Sequence, residues 1–164
     1  MLISAQLAHA INTQIGNEFA ASLQYHAIAA HFQRANLMLL AKLFFAQANE
    51  EREHAEKLMH YVLDTKGDLR LPAIREPVHT FASAEAAVEA ALKWEVEVTG
   101  QISRLMDLAA ADNDHLAQGF LQWFVDEQLE EVNKMDRLLN VIRMSGDRNL
   151  IMVEAYLVHG SGAA

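Results

Sequence analysis

The sequence predicts an all-α fold: a four-helix bundle with a long crossover connection at about 67–82 and a short fifth helix at the C-terminus. Three observations predict it. Of 164 residues, 52% are hydrophobic and 21% charged, with only 7 Gly and 2 Pro, a helix-prone composition. Both prolines, Pro72 and Pro77, fall in one gap, so the rest of the chain is free of the residue that helix interiors exclude. The stretches on either side repeat apolar residues at alternating spacings of three and four. The length suits one domain, taken as 1–164, with a single sizeable core.

The first helix is expected over about 4–33 and ends before Asn36, a weak break. The second runs over about 36–66 and is closed by Gly67 as the C′ residue. Ser83 is the N-cap of the third, about 83–111. Asp112, Asn113 and Asp114 separate it from the fourth, about 114–145, with Asp114 as N-cap. Ser145, Gly146 and Asp147 make the last break before a fifth helix at about 148–158, and the tail HGSGAA is expected to fray.

Each long helix carries one apolar seam, and each seam turns polar near its middle. The first reads Leu7, Ile11, Gln14, Glu18, Ala21, Tyr25, Ile28, Phe32; the second reads Leu37, Leu40, Phe44, Gln47, Glu51, His54, Leu58, Tyr61. The third reads Val88, Ala91, Glu95, Val98, Ile102, Leu105, and the fourth Leu121, Phe124, Gln128, Glu131, Met135, Leu138, Ile142. At about 1.5 Å per residue, Glu18 and Glu51 each lie about 25 Å from the turn near residue 35, and Glu95 and Glu131 about 27 Å from the turn near residue 113. Within each hairpin the acids are therefore level. A buried carboxylate costs several kcal/mol unless it is paired, so four gathered in one layer with His54 and Gln128 call for a shared partner, and two divalent cations balance their charge. The linker 67–82 can span roughly 50 Å, which favours a crossover, although an up-and-down order also keeps the acids nearly level.

Composition removes other functions. The formal net charge is −9 with no cysteine, which argues against nucleic-acid binding and excludes disulfides, thiolate zinc sites and iron–sulfur clusters. No secretion signal and no apolar run of membrane length is present, so a cytoplasmic protein without a membrane partner is expected. Oxygen-rich ligands with one imidazole suit iron first and manganese second. Glu53, Glu56 and Lys57 fall outside the seam as a solvated face, and Trp94 and Trp123 read as packing residues.

The segments NEFAASLQY, ANEEREHAEKL, KWEVEVTGQI and FLQWFVDEQLEE resemble, in order and spacing, the ligand segments of bacterial non-haem ferritins, members of the ferritin-like di-iron family, whose Glu-x-x-His bundle sites are a known pattern. The resemblance spans nearly the whole chain. It implies a ferritin-like bundle that oxidises Fe(II) to Fe(III) at a dinuclear ferroxidase centre, with dioxygen or peroxide as oxidant, and stores the product as a ferric mineral inside a shell of 24 subunits. A first iron would be held by Glu18, Glu51 and His54, and a second by the bridging Glu51 with Glu95 and Glu131, and Gln128 nearby. It further implies a third, inward-leading site of Glu50, Glu127 and Glu130, with Glu131 as a ligand it could share, and a tyrosine, Tyr25, beside the centre. Asp112, Asp114 and His115 fall where ferritins open their three-fold channels. The fourth-helix segment EQLEE lacks the second Glu-x-x-His of bacterioferritins and rubrerythrins, which weakens the alternative of a non-storage di-iron oxidase. Arg52 stands where a haem methionine would, so no haem is expected.

Overall fold

In a computed structural model the chain is described over residues 2–160. Its helices are α1 (Ala5–Arg34), α2 (Met38–Asp64), α3 (Ala84–Ala111), α4 (His115–Ser145) and α5 (Leu150–Gly160), with a 3-10 turn over Asp147–Asn149 before the last. Every expected helix is present, with ends displaced by one or two residues. The fifth extends further than expected and takes in His159 and Gly160 of the tail; the rest of that tail lies outside the described residues.

The helix ends follow from local chemistry. Ser4, Ser83 and Asp114 accept hydrogen bonds from the amides of Leu7, Ala86 and Ala117, satisfying first-turn donors that have no helical partner. Three helices stop the same way. Asn36, Lys66 and Asn113 have φ of 60°, 60° and 53°, and the amide after each bonds back to the carbonyl of Phe32, Val62 or Ala109, the Schellman arrangement. This corrects the role expected of Gly67: Lys66 takes the left-handed C′ position and Gly67 follows it. Glycine suits that place for another reason, since a Cβ there would lie 3.0 Å from both Ile3 Cγ2 and Val62 Cγ1.

The connection settles the topology. Asn12 donates to the carbonyl of Asp68 at 2.8 Å, and Gln24 exchanges hydrogen bonds with the backbone of Val78 at 2.8 and 2.9 Å. Between them a Cβ on Gly16 would collide with the Pro72 ring. The loop thus advances in the same direction as α1. Asn17 meets Gln101, and Tyr25 meets Glu95, so α3 is antiparallel to α1 and hence parallel to α2. The crossover bundle is formed, with α1–α2 and α3–α4 as its hairpins.

All the seam positions are buried, and the seams meet as two apolar clusters. One holds Tyr25, Ile28, Phe32, Phe44, Val88, Met135 and Ile142; the other holds Leu7, Ile11, Leu58, Val98, Ile102, Leu121 and Phe124. Each large side chain contributes about 1.5–3 kcal/mol by leaving water. Between the clusters, along every helix, lies the polar layer.

The N-terminus of α2 has no cap of its own, because Leu37 offers no side-chain acceptor. Glu154 of α5 supplies one: its carboxylate accepts from the amides of Leu39, at 2.9 and 3.1 Å, and Leu40, at 2.8 Å. A carboxylate at a helix N-terminus is favoured by both hydrogen bonding and the helix dipole. With Val153 fully buried against the bundle, it fixes α5 to the bundle end. Glu154→Ala is expected to cost about 1–2 kcal/mol, read as roughly tenfold faster hydrogen exchange at Leu39 and Leu40; unchanged exchange would show that the cap carries no energy.

Candidate metal centre

The polar layer is built by the helix period. Glu51 and His54, one turn apart on α2, face inward together, and Glu18, Glu95 and Glu131 arrive at the same level from α1, α3 and α4. Relative exposure is 1% for Glu18, 2% for Glu51, 5% for His54, 1% for Glu95 and 3% for both Gln128 and Glu131. Ligand atoms of Glu18, Glu51 and His54 all lie within 4.8 Å of one another, as do those of Glu51, Glu95 and Glu131. Glu51 belongs to both groups, the arrangement of a bridging carboxylate between two ions.

Around these groups the structure supplies orienting partners. Gln14 Nε2 donates to Glu18 Oε1 at 2.8 Å. Gln47 Nε2 donates to Glu51 Oε1 at 2.9 Å and to Glu131 Oε2 at 2.5 Å. The Tyr25 hydroxyl donates to Glu95 Oε1, while Gln128 Nε2 approaches Glu95 Oε2 at 3.2 Å. His54 places Nδ1 3.4 Å from Glu51 and Nε2 3.9 Å from Glu127, so a carboxylate faces each ring nitrogen. Outer partners of this kind hold ligands in orientation.

One oxygen is left over. Glu18 Oε2 is buried without a donor and faces the Glu51 carboxylate, so two acceptors meet, which is costly unless a proton or a cation lies between them. A cation among Glu18, Glu51 and His54 would do so, and the donor set of hard oxygens with one imidazole fits iron.

Electrostatics agree. Burial, then the charge of Glu51, pushes the Glu18 carboxyl well above the usual range. The same causes in the same order push Glu95 up to about 8. Burial raises Glu131 as well, partly offset by Lys134. For His54, burial favours the neutral ring, but the hydrogen bond and charge of Glu51 prevail, so its pKa is raised. Burial, followed by Glu95, raises Tyr25. In Glu18, Glu95 and Glu131 the protonated form is thus favoured, where a divalent ion would favour the charged one.

Of the residues expected to form a third site, Glu50 and Glu127 line one open cavity with His54, and Glu130 is not part of its lining. Among the described residues, Glu50, Glu127 and Glu130 form no group with converging ligand atoms: Glu50 bonds Lys134 at 2.8 Å, Glu127 faces His54, and Glu130 is exposed. Trp123, expected only to pack, is 39% exposed, stands edge-on to His54 at 5.4 Å and lies 4.0 Å beneath the Lys57 ammonium. On the outer face, Arg52 pairs with Glu56 and Asn49 with Glu53, as a solvated face would.

Sequence reasoning named neither Gln14 and Gln47 nor Lys134 as part of the site. The two glutamines had a signal, since each is a seam position one turn before a ligand.

Comparison with known proteins agrees with this architecture. The ferritin-like domain family matches residues 8–145. A ferritin BfrB of Mycolicibacterium smegmatis is 43% identical over 94% of this chain and 84% of its own length, and a bacterial non-heme ferritin of Staphylococcus aureus is 32% identical over 89% and 88%. An open pore ferritin from the archaeon Archaeoglobus fulgidus superimposes with a TM-score of 0.91 at 31% identity, covering 95% of this chain and 96% of that one. With the helix order, the crossover and the buried carboxylate layer already in hand, these matches show that the chain belongs to the ferritin family.

Proposed function

We propose that the protein stores iron, oxidising ferrous ions in pairs at the buried layer and holding the product as a ferric mineral inside a 24-subunit shell. The observation that carries this reading is the pair of ligand groups sharing Glu51 within one buried layer; family membership supports it. Ferrous iron is here the substrate. Glu18, Glu51 and His54 would receive one ion, and Glu51, Glu95 and Glu131 the other, with Gln128 beside the second. Four carboxylates balance two divalent cations, and binding displaces protons from those whose pKa burial raises, Glu18, Glu95 and Glu131.

The redox balance is simple. Two ferrous ions give up two electrons; dioxygen takes them with two protons to form hydrogen peroxide, or peroxide takes them with two protons to form two waters. Gln14, Gln47, Gln128 and Tyr25 hold the carboxylates in place, and the apolar clusters close the layer off along the bundle axis in both directions. A single imidazole among oxygen ligands binds weakly enough to release the oxidised product.

The native particle distinguishes storage from a small di-iron oxidase. Mass measurement and light scattering after aerobic iron loading are expected to show a particle of about 24 subunits that keeps many more ions than two per subunit. A small oligomer retaining only its pair would overturn the storage reading.

A further inference from the structure

Lys134 reaches the rim of the metal layer from α4, three residues beyond Glu131. Its ammonium nitrogen lies 2.6 Å from Gln47 Oε1, 2.8 Å from Glu50 Oε2 and 3.3 Å from Glu131 Oε1. Three oxygens at these distances engage all three N–H donors of an ammonium group, so Lys134 occupies an oxygen-lined position of the kind a hard cation seeks. Its side chain is only 37% exposed.

Two of those oxygens belong to Glu50 and Glu131, which the ferritin resemblance assigns to a third iron. The remaining acids of that set do not converge on the position, since Glu127 turns to His54 at 3.9 Å and Glu130 is exposed. With Lys134 in place, the residues present therefore do not fit a third ion. A tethered positive charge holds part of its ligand set, and at contact range it repels an incoming divalent cation.

The same ammonium orders the pair site. By bonding Gln47 Oε1 it directs the other end of that amide, Nε2, toward both Glu51 and Glu131. Without it, only the two carboxylates, as acceptors, select which end of the amide faces them.

Building on the dinuclear reading above, we infer that Lys134 is a built-in substitute for a third metal ion: it limits each subunit to two tightly bound ferrous ions and positions Gln47 against the bridging carboxylate. It is a positioning residue and touches no ion itself. The oxidised pair consequently leaves without an adjacent third ion on the α2–α4 side.

Anaerobic calorimetric titration of the assembled, iron-free protein with ferrous ions tests this by counting tight sites per subunit. Two are expected for wild type and for Lys134→Arg. Three are expected for Lys134→Gln, the added site binding at least roughly tenfold more tightly than wild type does there, and two again when Glu50→Ala is combined with it. Lys134→Ala serves in place of Lys134→Gln if the latter does not assemble. A lysine that merely stabilised the fold would change the melting point and leave the count alone. A third tight site in wild type, or no gain in a folded Lys134→Gln or Lys134→Ala, overturns the inference and leaves the dinuclear centre standing. A wild type that binds no pair overturns the dinuclear reading itself, and this inference with it.

Discussion

Glu51→Ala is expected to slow the initial oxidation of ferrous iron by at least about 100-fold, beyond the range seen when only a supporting partner of a metal ligand is lost. The size follows from position: Glu51 contributes to both ligand groups, so its removal weakens both ions at once and deletes the group between them. Aerobic addition of ferrous iron with ferric absorbance as readout measures it. Glu53→Ala is the matched control, because Glu53 sits two residues away on the solvated face with its side chain 61% exposed and should leave the rate unchanged. Equal initial rates for wild type and Glu51→Ala would dispose of the dinuclear assignment.

The iron-free protein is expected to lose stability as pH rises from about 4.5 to about 8. Glu95 in the folded chain holds its proton up to about 8 against an ordinary value of 4.5, so across that window the folded state binds more protons than the unfolded one. Stability then falls with pH, and the stabilisation is fully present below the unfolded value and gone above the folded one. Glu18 and Glu131 shift in the same direction. His54, also raised, adds stability below its ordinary value of 6.5 that disappears as pH passes its folded pKa. For Glu95 alone the effect is of the order of a few kcal/mol. Denaturant unfolding of the iron-free protein at several pH values measures it, and Glu95→Gln, which never ionises, should flatten the curve. Saturating ferrous iron under anaerobic conditions should reverse the slope, because metal ions and protons compete for the same oxygens. Stability that is constant or rising across the window in the iron-free wild type would contradict the raised carboxylates.

Much of this could be read along the chain because a helix converts spacing into direction. Every seam position is buried because residues three and four apart share a face, and the level of Glu18 with Glu51, or Glu95 with Glu131, required only counting from a turn. Turn chemistry was less legible: Lys66 rather than Gly67 takes the left-handed position, and Gly67 the next, where a Cβ would press on Ile3 and Val62.

What the sequence by itself determined is which residues face inward and how far each stands from a hairpin turn, because both are local properties of one helix. The tertiary structure alone decided what requires two or more helices to be docked. The loop's run along α1 selected the crossover over an up-and-down order, Glu154 came from α5 to cap α2, and Lys134 folded over Glu50 and Gln47. Lys134 stands one turn past Glu131 and off the seam, where a lysine ordinarily reaches water, and nothing in the spacing along α4 shows that α2 presents a carboxylate and an amide within 3 Å of it. The distance between side chains on different helices is set by interhelical packing, so even a seam read correctly could locate the metal layer without showing which cation fills its rim.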